Sequence, residues 1–202
     1  DKAYTWKQYK RFMKLVQQLE ERDLGVPPLK HVCNSAAICD LPEMHLDMVR
    51  PGAILYGFHP GPGVKKVLAL RPALSLKTKI VFLKEVKAGT PLSYGLTHTV
   101  AAGTKIATLP IGYADGYRRH FSNRSQVLVR GRRAPVVGRV CMDQCLIDVG
   151  QIPAVAVGDE VVLIGRQGDE EITAIELADL MGTIAIDLTC GLGKRVPRLY
   201  KE

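Results

Sequence analysis

The stretch FHPGPG, residues 58–63, divides the chain into two parts with different hydrophobic periods. Its prolines and glycines disfavour regular secondary structure and mark a boundary between domains. Before it, apolar residues recur at helical spacing and then in short strand-like runs. After it they alternate, which is the period of a half-buried β-strand. We therefore expect one domain over residues 1–63 and a second over residues 64–202.

The first domain has the element order helix, strand, helix, strand. Its first helix is predicted by apolar residues at helical spacing, namely Trp6, Tyr9, Phe12, Met13, Val16 and Leu19. A short strand is expected at residues 29–33, a helix capped by Asn34-Ser35 follows it, and residues 48–57 resemble a second strand. This is the order of βα units, but there are too few of them to close a barrel. We expect the tail of an α/β barrel, the last βα units of a TIM-type barrel.

The second domain is predicted to be mainly β. The alternation from Leu74 to Phe82 predicts one long strand. Further strands are expected within residues 106–110, 127–129, 136–138 and 161–164, and a hairpin is expected at residues 130–133. One helix interrupts them, because Thr173 and Glu176 have capping-box spacing and Gly182 provides a stop.

Composition and charge limit the kinds of partner that the chain is expected to bind. The formal charge is +8, but the cations are scattered and lack the interleaved aromatic residues of a nucleic-acid surface. The five cysteines include no C-x-x-C pair, so we expect neither a disulfide framework nor a metal site. No run approaches the roughly 18 apolar residues of a membrane span. We expect a soluble cytoplasmic protein that binds neither nucleic acid nor membrane.

Two features at the ends of consecutive predicted strands could bind a phosphate group. Ser35 follows the first strand, where a hydroxyl and backbone N–H groups would suit an anion. Arg50-Pro51-Gly52 follows the second, and barrels often hold phosphate groups at the ends of their last strands. Taken alone, Ser35 is better explained as part of an ordinary helix cap, Arg50 as a surface ion pair and Gly52 as a turn residue. Their position at the ends of consecutive strands, where barrels keep phosphates, favours the phosphate site.

Three residues in loops of the second domain are further candidates. Tyr94 lies on a bend between Ser93 and Gly95, which is unusual for a tyrosine that packs in a core. Tyr113 and Met142 occur in loop-like stretches, where a turn aromatic and a core-filling methionine are the simpler interpretations.

Six motifs together give the sequence a specific resemblance. In chain order they are HVCNSAA, MVRPGAILYG, PLSYG, PIGYADG, GRVCMDQ and RVPR. Their order and approximate spacing resemble those of the alanine racemases, which depend on pyridoxal 5'-phosphate. The resemblance implies interconversion of L-alanine and D-alanine by two bases on opposite faces of the substrate, supplying D-alanine for cell-wall peptidoglycan.

The resemblance also implies which residues hold the cofactor. Ser35, Gly52 and Ala53 match positions that bind its phosphate through a hydroxyl and backbone amides. Arg50 matches the arginine that faces the pyridine nitrogen. A guanidinium gives up a proton with difficulty, so it should leave that nitrogen unprotonated and make the ring a weaker electron sink.

The remaining roles implied by the resemblance belong to the second domain. Tyr94 matches the catalytic tyrosine, one of the two bases, which in the family reaches the active site of another subunit in a head-to-tail homodimer. Met142 matches the residue whose backbone amide meets the substrate carboxylate, also across the dimer. Tyr113 and Arg139 match residues that line the entrance.

Two departures from the family pattern leave alternatives open. The lysine that anchors the cofactor as a Schiff base is absent, so we expect an N-terminal half that carries it and an inactive chain without that half. Lys194 stands where many relatives have tyrosine, beside the substrate pocket. One alternative interpretation is a racemase of serine or another small amino acid. The other is a non-catalytic β module that binds phosphate ligands or proteins.

Overall fold

The computed structural model of the chain describes residues 2–201, which form two compact units that meet at Ala73 and Leu74. The predicted boundary lies earlier, after Gly63. The segment between these points is bonded to the first unit, since the Ala73 N–H donates to the Tyr56 carbonyl at 3.1 Å and the Lys65 N–H donates to Asp40 at 2.8 Å.

The first unit contains two α-helices and two short 3₁₀ turns. Helix α1 spans Lys2–Glu21 and helix α2 spans Ser35–Asp40, and the 3₁₀ turns are Pro42–Met44 and Ala53–Tyr56. The side chain of Asn34 caps α2 by accepting a hydrogen bond from the Ala37 N–H at 3.1 Å. The two predicted helices of this region are confirmed.

The prediction of two strands in the first unit is wrong. Residues 29–33 and 48–50 form no β-ladder. The backbone bonds in this region are Asp47 N–H to Lys30 O at 3.2 Å and Arg50 N–H to Cys33 O at 2.9 Å, and side-chain bonds of Asp47 and Arg50 add to them. Residues 53–56 form a 3₁₀ turn instead. A strand is defined by hydrogen-bonded neighbours along its length, which apolar sequence alone does not supply.

A small core holds the first unit together. Cys33, Leu41 and Met44 are buried, and Trp6 and Tyr9 of α1 pack against them. The Cys33 thiol donates to the Met44 carbonyl at 3.0 Å, and burial raises the pKa of this thiol. Large apolar side chains elsewhere in the unit are nevertheless exposed, among them Leu15, Leu55 and Tyr56. Exposed apolar area of this kind is typical of surfaces that contact other protein. These side chains are therefore available to pack against a further surface.

The second unit is mainly β, as predicted. Its strands are β1 (Leu76–Lys79), β2 (Phe82–Val86), β3 (Pro91–Leu92), β4 (His98–Thr99), β5 (Thr104–Leu109), β6 (Gln126–Val129), β7 (Arg132–Val137), β8 (Cys145–Asp148), β9 (Glu160–Gln167) and β10 (Glu170–Ile172). The main antiparallel sheet has the order β1-β9-β6-β7-β8-β5-β2, with β10 paired to β9, and β3 pairs with β4. Helices α3 (Ala174–Met181) and α4 (Ala185–Cys190) follow.

The predicted long strand over residues 74–82 is two strands with different neighbours. β1 pairs with β9, whereas β2 pairs with β5. The change occurs between Ile80, whose N–H donates to Asp159 O, and Val81, whose N–H donates to Thr108 O. Alternation continues through this switch because the side-chain period survives a change of pairing partner. Helix α4 and strand β8 were not predicted.

Other local predictions for the second unit are confirmed. β6 and β7 form a hairpin through Arg130 and Gly131, whose φ values of 52° and 73° are those of a two-residue primed turn. Thr173 caps α3 by accepting the Glu176 N–H at 3.0 Å, and Gly182 ends the helix with a φ of 73°. Valines and leucines of β6 and β9 are fully buried and form the middle of the core.

Within residues 2–201, no helix is long and apolar enough to cross a membrane.

Cysteine reactivity should follow this packing. Cys145 is 1% exposed and burial raises the pKa of its thiol to about 12, whereas Cys190 is exposed. Because the thiolate is the reactive form, iodoacetamide at about pH 8 should modify Cys190 and spare Cys145 until the protein is unfolded. Peptide mass mapping measures this. Equal modification of both thiols in the native protein would contradict the described core.

Candidate functional site

The candidate phosphate-binding residues of the first unit lie together. Ser35 is the first residue of α2 and is buried, and its Oγ accepts a hydrogen bond from the Gly52 N–H at 2.8 Å. A Cβ at Gly52 would lie 3.7 Å from that oxygen, so the glycine leaves open the space beside the hydroxyl. The Ala53 N–H has no acceptor within residues 2–201. The Ser35 hydroxyl and the Ala53 N–H thus lie close together, and the Gly52 N–H between them is bonded to that hydroxyl. A hydroxyl and neighbouring backbone amides are donors that suit an anion.

Arg50 is held beside this group by a histidine. Its Nη1 lies 2.6 Å from His31 Nδ1 and 3.4 Å from the His31 carbonyl oxygen. Since a guanidinium only donates, His31 Nδ1 accepts, and any ring proton is on Nε2. The sequence contained His31 at the start of the HVCNSAA motif but gave it no role. Its separation from Arg50 by 19 residues conceals a contact that only the fold shows.

In the second unit, Tyr94 lies on a tightly bent segment between β3 and β4. Ser93 has φ 60° and ψ −178°, Gly95 has φ 71° and Leu96 has φ 51°. Such conformations cost a non-glycine residue about 1–3 kcal/mol each and persist where the surroundings fix them. The Tyr94 side chain is 73% exposed and its hydroxyl has no hydrogen-bond partner among the described residues.

Three contacts fix this bend against the chain that follows β7. The Ser93 hydroxyl donates to the Arg139 carbonyl at 2.7 Å. Gly138 has φ 74°, and a Cβ there would lie 2.6 Å from Ser93 Cβ, so only glycine fits without a shift. The Arg139 guanidinium packs over Gly95, where an added Cβ would come within 3.3 Å of it. The residues on both sides of Tyr94, Ser93 and Gly95, therefore contact Arg139.

The strand order brings the loops of Tyr113 and Met142 together. β8 lies between β7 and β5, and the end of β5 at Leu109 pairs with the start of β8 at Cys145. The loop after β5 and the loop before β8 consequently leave the sheet at the same edge. The Tyr113 N–H donates to Cys141 O and the Ala114 N–H donates to Met142 O, both at 3.0 Å.

The backbone of Met142 forms a hydrogen bond through its carbonyl but not through its amide, among the residues that the structure describes. Its carbonyl accepts the Ala114 N–H, but its N–H has no acceptor within the described chain, and its side chain is 54% exposed. Tyr113 is 39% exposed beside it. The Ser93 hydroxyl lies 3.7 Å from Cys141 Sγ, which links this pair of loops to the Tyr94 bend. An exposed phenol and an unpaired amide are groups that can bind or exchange protons with a small molecule.

Lys194 is exposed and follows Gly193, whose N–H donates to Asp115 O at 2.8 Å. The segment that departs from the family pattern therefore lies against the Tyr113 loop. No contact of the Lys194 ammonium within residues 2–201 assigns it a role.

Comparison with known proteins agrees with these features. The family described as "Alanine racemase, C-terminal domain" matches residues 73–200, and that described as "Alanine racemase, N-terminal domain" matches residues 1–60. The alanine racemase of Halothermothrix orenii is 52% identical over 202 residues, which are 100% of this chain and 53% of that protein. The chain spans about half the length of the curated relatives it matches.

Solved structures give the same result. The alanine racemase of E. faecalis superposes with a TM-score of 0.93 at 39% identity, covering 100% of this chain and 53% of that one. The enzyme of Bacillus anthracis with bound L-Ala-P superposes with a TM-score of 0.91 at 40% identity, covering 100% and 52%. The fold and the ordered motifs define a member of an amino-acid racemase family. The chain belongs to the alanine racemase family.

The contact between the two loops can be tested at Gly112. A Cβ there would lie 2.3 Å from Cys141 O and 2.5 Å from Met142 C, so one backbone would have to move. Gly112→Ala should lower the free energy of unfolding by about 1–3 kcal/mol, the usual cost of overpacking. Gly103→Ala is the matched control, because its Cβ would meet nothing closer than Val86 O at 3.8 Å. Equal urea midpoints for the two variants would contradict the loop contact.

Proposed function

We propose that this chain is the part of an alanine racemase that holds most of the pyridoxal 5'-phosphate site and donates one of two catalytic bases. The observation that carries this proposal is the exposed Tyr94 phenol, which has no hydrogen-bond partner among the described residues and lies on a bend held by Ser93 and Gly138. Family membership and the half-length coverage of its relatives support the same proposal. The lysine that anchors the cofactor would then lie in a preceding half of the protein, and residues 1–63 would complete a (β/α)8 barrel with it.

The residues of the first unit fit the cofactor. Ser35 Oγ and the Gly52 and Ala53 amides would bind its phosphate, with the Gly52 N–H exchanging its bond to Ser35 Oγ for one to the phosphate. Arg50 would face the pyridine nitrogen, and His31 would hold the guanidinium in place from the other side. The bound cofactor supplies an electron-withdrawing ring that makes the α-proton of an attached amino acid acidic. Arg50 would moderate that effect, because a guanidinium gives up a proton with difficulty and would leave the ring nitrogen unprotonated.

The residues of the second unit would act on the substrate in another copy of the protein. Tyr94 Oη would hold or accept a proton on the face of the α-carbon opposite the anchoring lysine. The free Met142 N–H would donate to the substrate carboxylate, and Tyr113 and Arg139 would line the entrance. An exposed catalytic group suits this arrangement, because a head-to-tail homodimer would bury it. The product D-alanine would serve cell-wall peptidoglycan.

The phosphate assignment predicts weaker cofactor binding in variants. Ser35→Ala in the intact protein should raise the dissociation constant of pyridoxal phosphate by roughly 10-fold or more, the cost of a hydrogen bond to a charged group. Arg50→Ala should weaken binding as well. Ser75→Ala is the matched control, because Ser75 is exposed and outside this group. Cofactor titration followed by absorbance measures the constant, and control-like values for both variants would refute the assignment.

The role of Tyr94 predicts a loss that depends on the proton face. Tyr94→Phe keeps the ring but removes the atom that carries the proton, so racemisation should fall by roughly 10²–10⁴-fold. The opposite base remains, so solvent deuterium should still enter one enantiomer of alanine faster than the other. Tyr200→Phe is the control, since Tyr200 is 93% exposed at the end of the chain. Near-wild-type exchange from both enantiomers in Tyr94→Phe would sink the assignment.

A further inference from the structure

Arg195 lies between the two loops that carry Tyr113 and Met142 and contacts a carboxylate of each. Its Nε is 3.1 Å from Asp115 Oδ1, and its Nη2 donates to Asp143 Oδ1 at 2.6 Å. Arg195 comes from the segment after α4, so three separate parts of the chain meet at one guanidinium. The motif RVPR contributed to the family resemblance, but none of its residues was given a role there.

The Asp115 side of this contact is rigid. The Asp115 side chain is only 10% exposed, and its Oδ2 accepts the Gly112 N–H at 2.9 Å. The Asp115 carbonyl accepts the Gly193 N–H at 2.8 Å, which ties the Arg195 segment to the same loop. Arg198 donates to the Leu192 carbonyl at 2.9 Å and braces that segment from within. These bonds therefore hold in place the backbone from which the Arg195 side chain extends.

The Asp143 side is the more exposed partner. The Asp143 side chain is 54% exposed, and Arg195 is the only cation that contacts it among the described residues. Asp143 directly follows Met142, and the Cys141 N–H closes the same turn by donating to Gln144 O at 2.8 Å. Asp143 and the Met142 N–H, which has no acceptor among the described residues, therefore belong to one turn, and Arg195 holds that turn from outside.

An ordinary surface ion pair would not have this effect. Arg166 and Glu171, 3.3 Å apart on the β9–β10 hairpin, join two residues that the strands already fix. Exposed pairs of that kind contribute little to stability. Arg195 instead bridges two loops whose direct backbone bonds are those of Tyr113 and Ala114. A guanidinium that contacts two carboxylates from different nitrogens also constrains direction, as a point charge does not.

We propose that Arg195 is a positioning residue for substrate binding. By holding Asp115 and Asp143 together it sets the spacing of the Tyr113 and Met142 loops and the direction of the Met142 N–H. This inference rests on the proposed function, in which that N–H meets the substrate carboxylate. It predicts a larger effect on binding than on proton transfer, because Ser93 and Gly138 hold the Tyr94 bend and the bonds of Arg195 among the described residues go to Asp115 and Asp143 instead.

Steady-state kinetics of the intact, cofactor-loaded enzyme tests the proposal. Arg195→Met keeps the apolar stem and removes the fork, and it should raise KM for alanine by about 10-fold while kcat changes by less than about threefold. Arg195→Lys should recover part of the loss, because it restores the charge without the fork. Arg166→Met is the matched control and should leave both constants unchanged. An unchanged KM in Arg195→Met, or a loss confined to kcat, overturns the proposal.

Amide hydrogen exchange supplies a second readout that does not depend on racemase activity. The Tyr113 and Ala114 amides should exchange faster in Arg195→Met and in Asp143→Asn than in Arg166→Met. Asp143→Asn changes only an exposed side chain, so it decides the matter if Arg195→Met fails to fold. Control-like exchange in Asp143→Asn refutes the positioning role. If the wild-type protein does not racemise alanine, the proposed function fails, and faster exchange still identifies Arg195 as the residue that holds the loops.

Discussion

The hydrogen bond from the Ser93 hydroxyl to the Arg139 carbonyl is the contact on which the proposed chemistry of the second unit most depends. It holds Ser93 in a conformation that few non-glycine residues adopt, and the adjacent Tyr94 phenol is directed outward as a result. Beneath it, Leu92 packs with Val137 in a buried apolar cluster. Strain in the bend is thus balanced by packing below it and by one short bond beside it.

That bond also joins the bend to the loops that carry the other candidate residues. Arg139 leads into the turn of Met142, and the Met142 loop rests on the Tyr113 loop through paired backbone bonds. Since β7, β8 and β5 are neighbours in the sheet, these loops emerge at one edge without any long connection. The sheet therefore determines which residues can meet, and individual contacts determine how their polar groups are directed.

The sequence predicted elements whose signals are local. The first helix, the capped start of α2, the 130–133 hairpin and the Thr173 cap all depend on residues close together in the chain. Predictions failed where structure depends on distant partners. The run from Leu74 to Phe82 looked continuous because its alternation survives the change from β9 to β5, and residues 29–33 lacked the neighbours that would make them a strand.

The candidate site shows the same division. Ser35, Arg50, Tyr94 and Met142 were identified through motifs, and their roles remain proposals. The sequence could not predict His31 beside Arg50, or Arg195 between Asp115 and Asp143, because these contacts join residues far apart in the chain. Residues that touch the chemistry tend to lie in recognisable motifs, whereas those that hold them in place are found from three-dimensional contacts.

Hybrid dimers test most directly the claim that Tyr94 acts in another copy of the protein. One intact subunit would carry Tyr94→Phe, and the other would carry Ser35→Ala with Arg50→Ala, so that each parent dimer has two defective sites. In a hybrid, one site would combine an unaltered cofactor pocket with an unaltered Tyr94. Random assortment then predicts recovery of about a quarter of wild-type activity on mixing. Activity no greater than the mean of the two parents, in a sample shown to contain hybrids, would contradict the account.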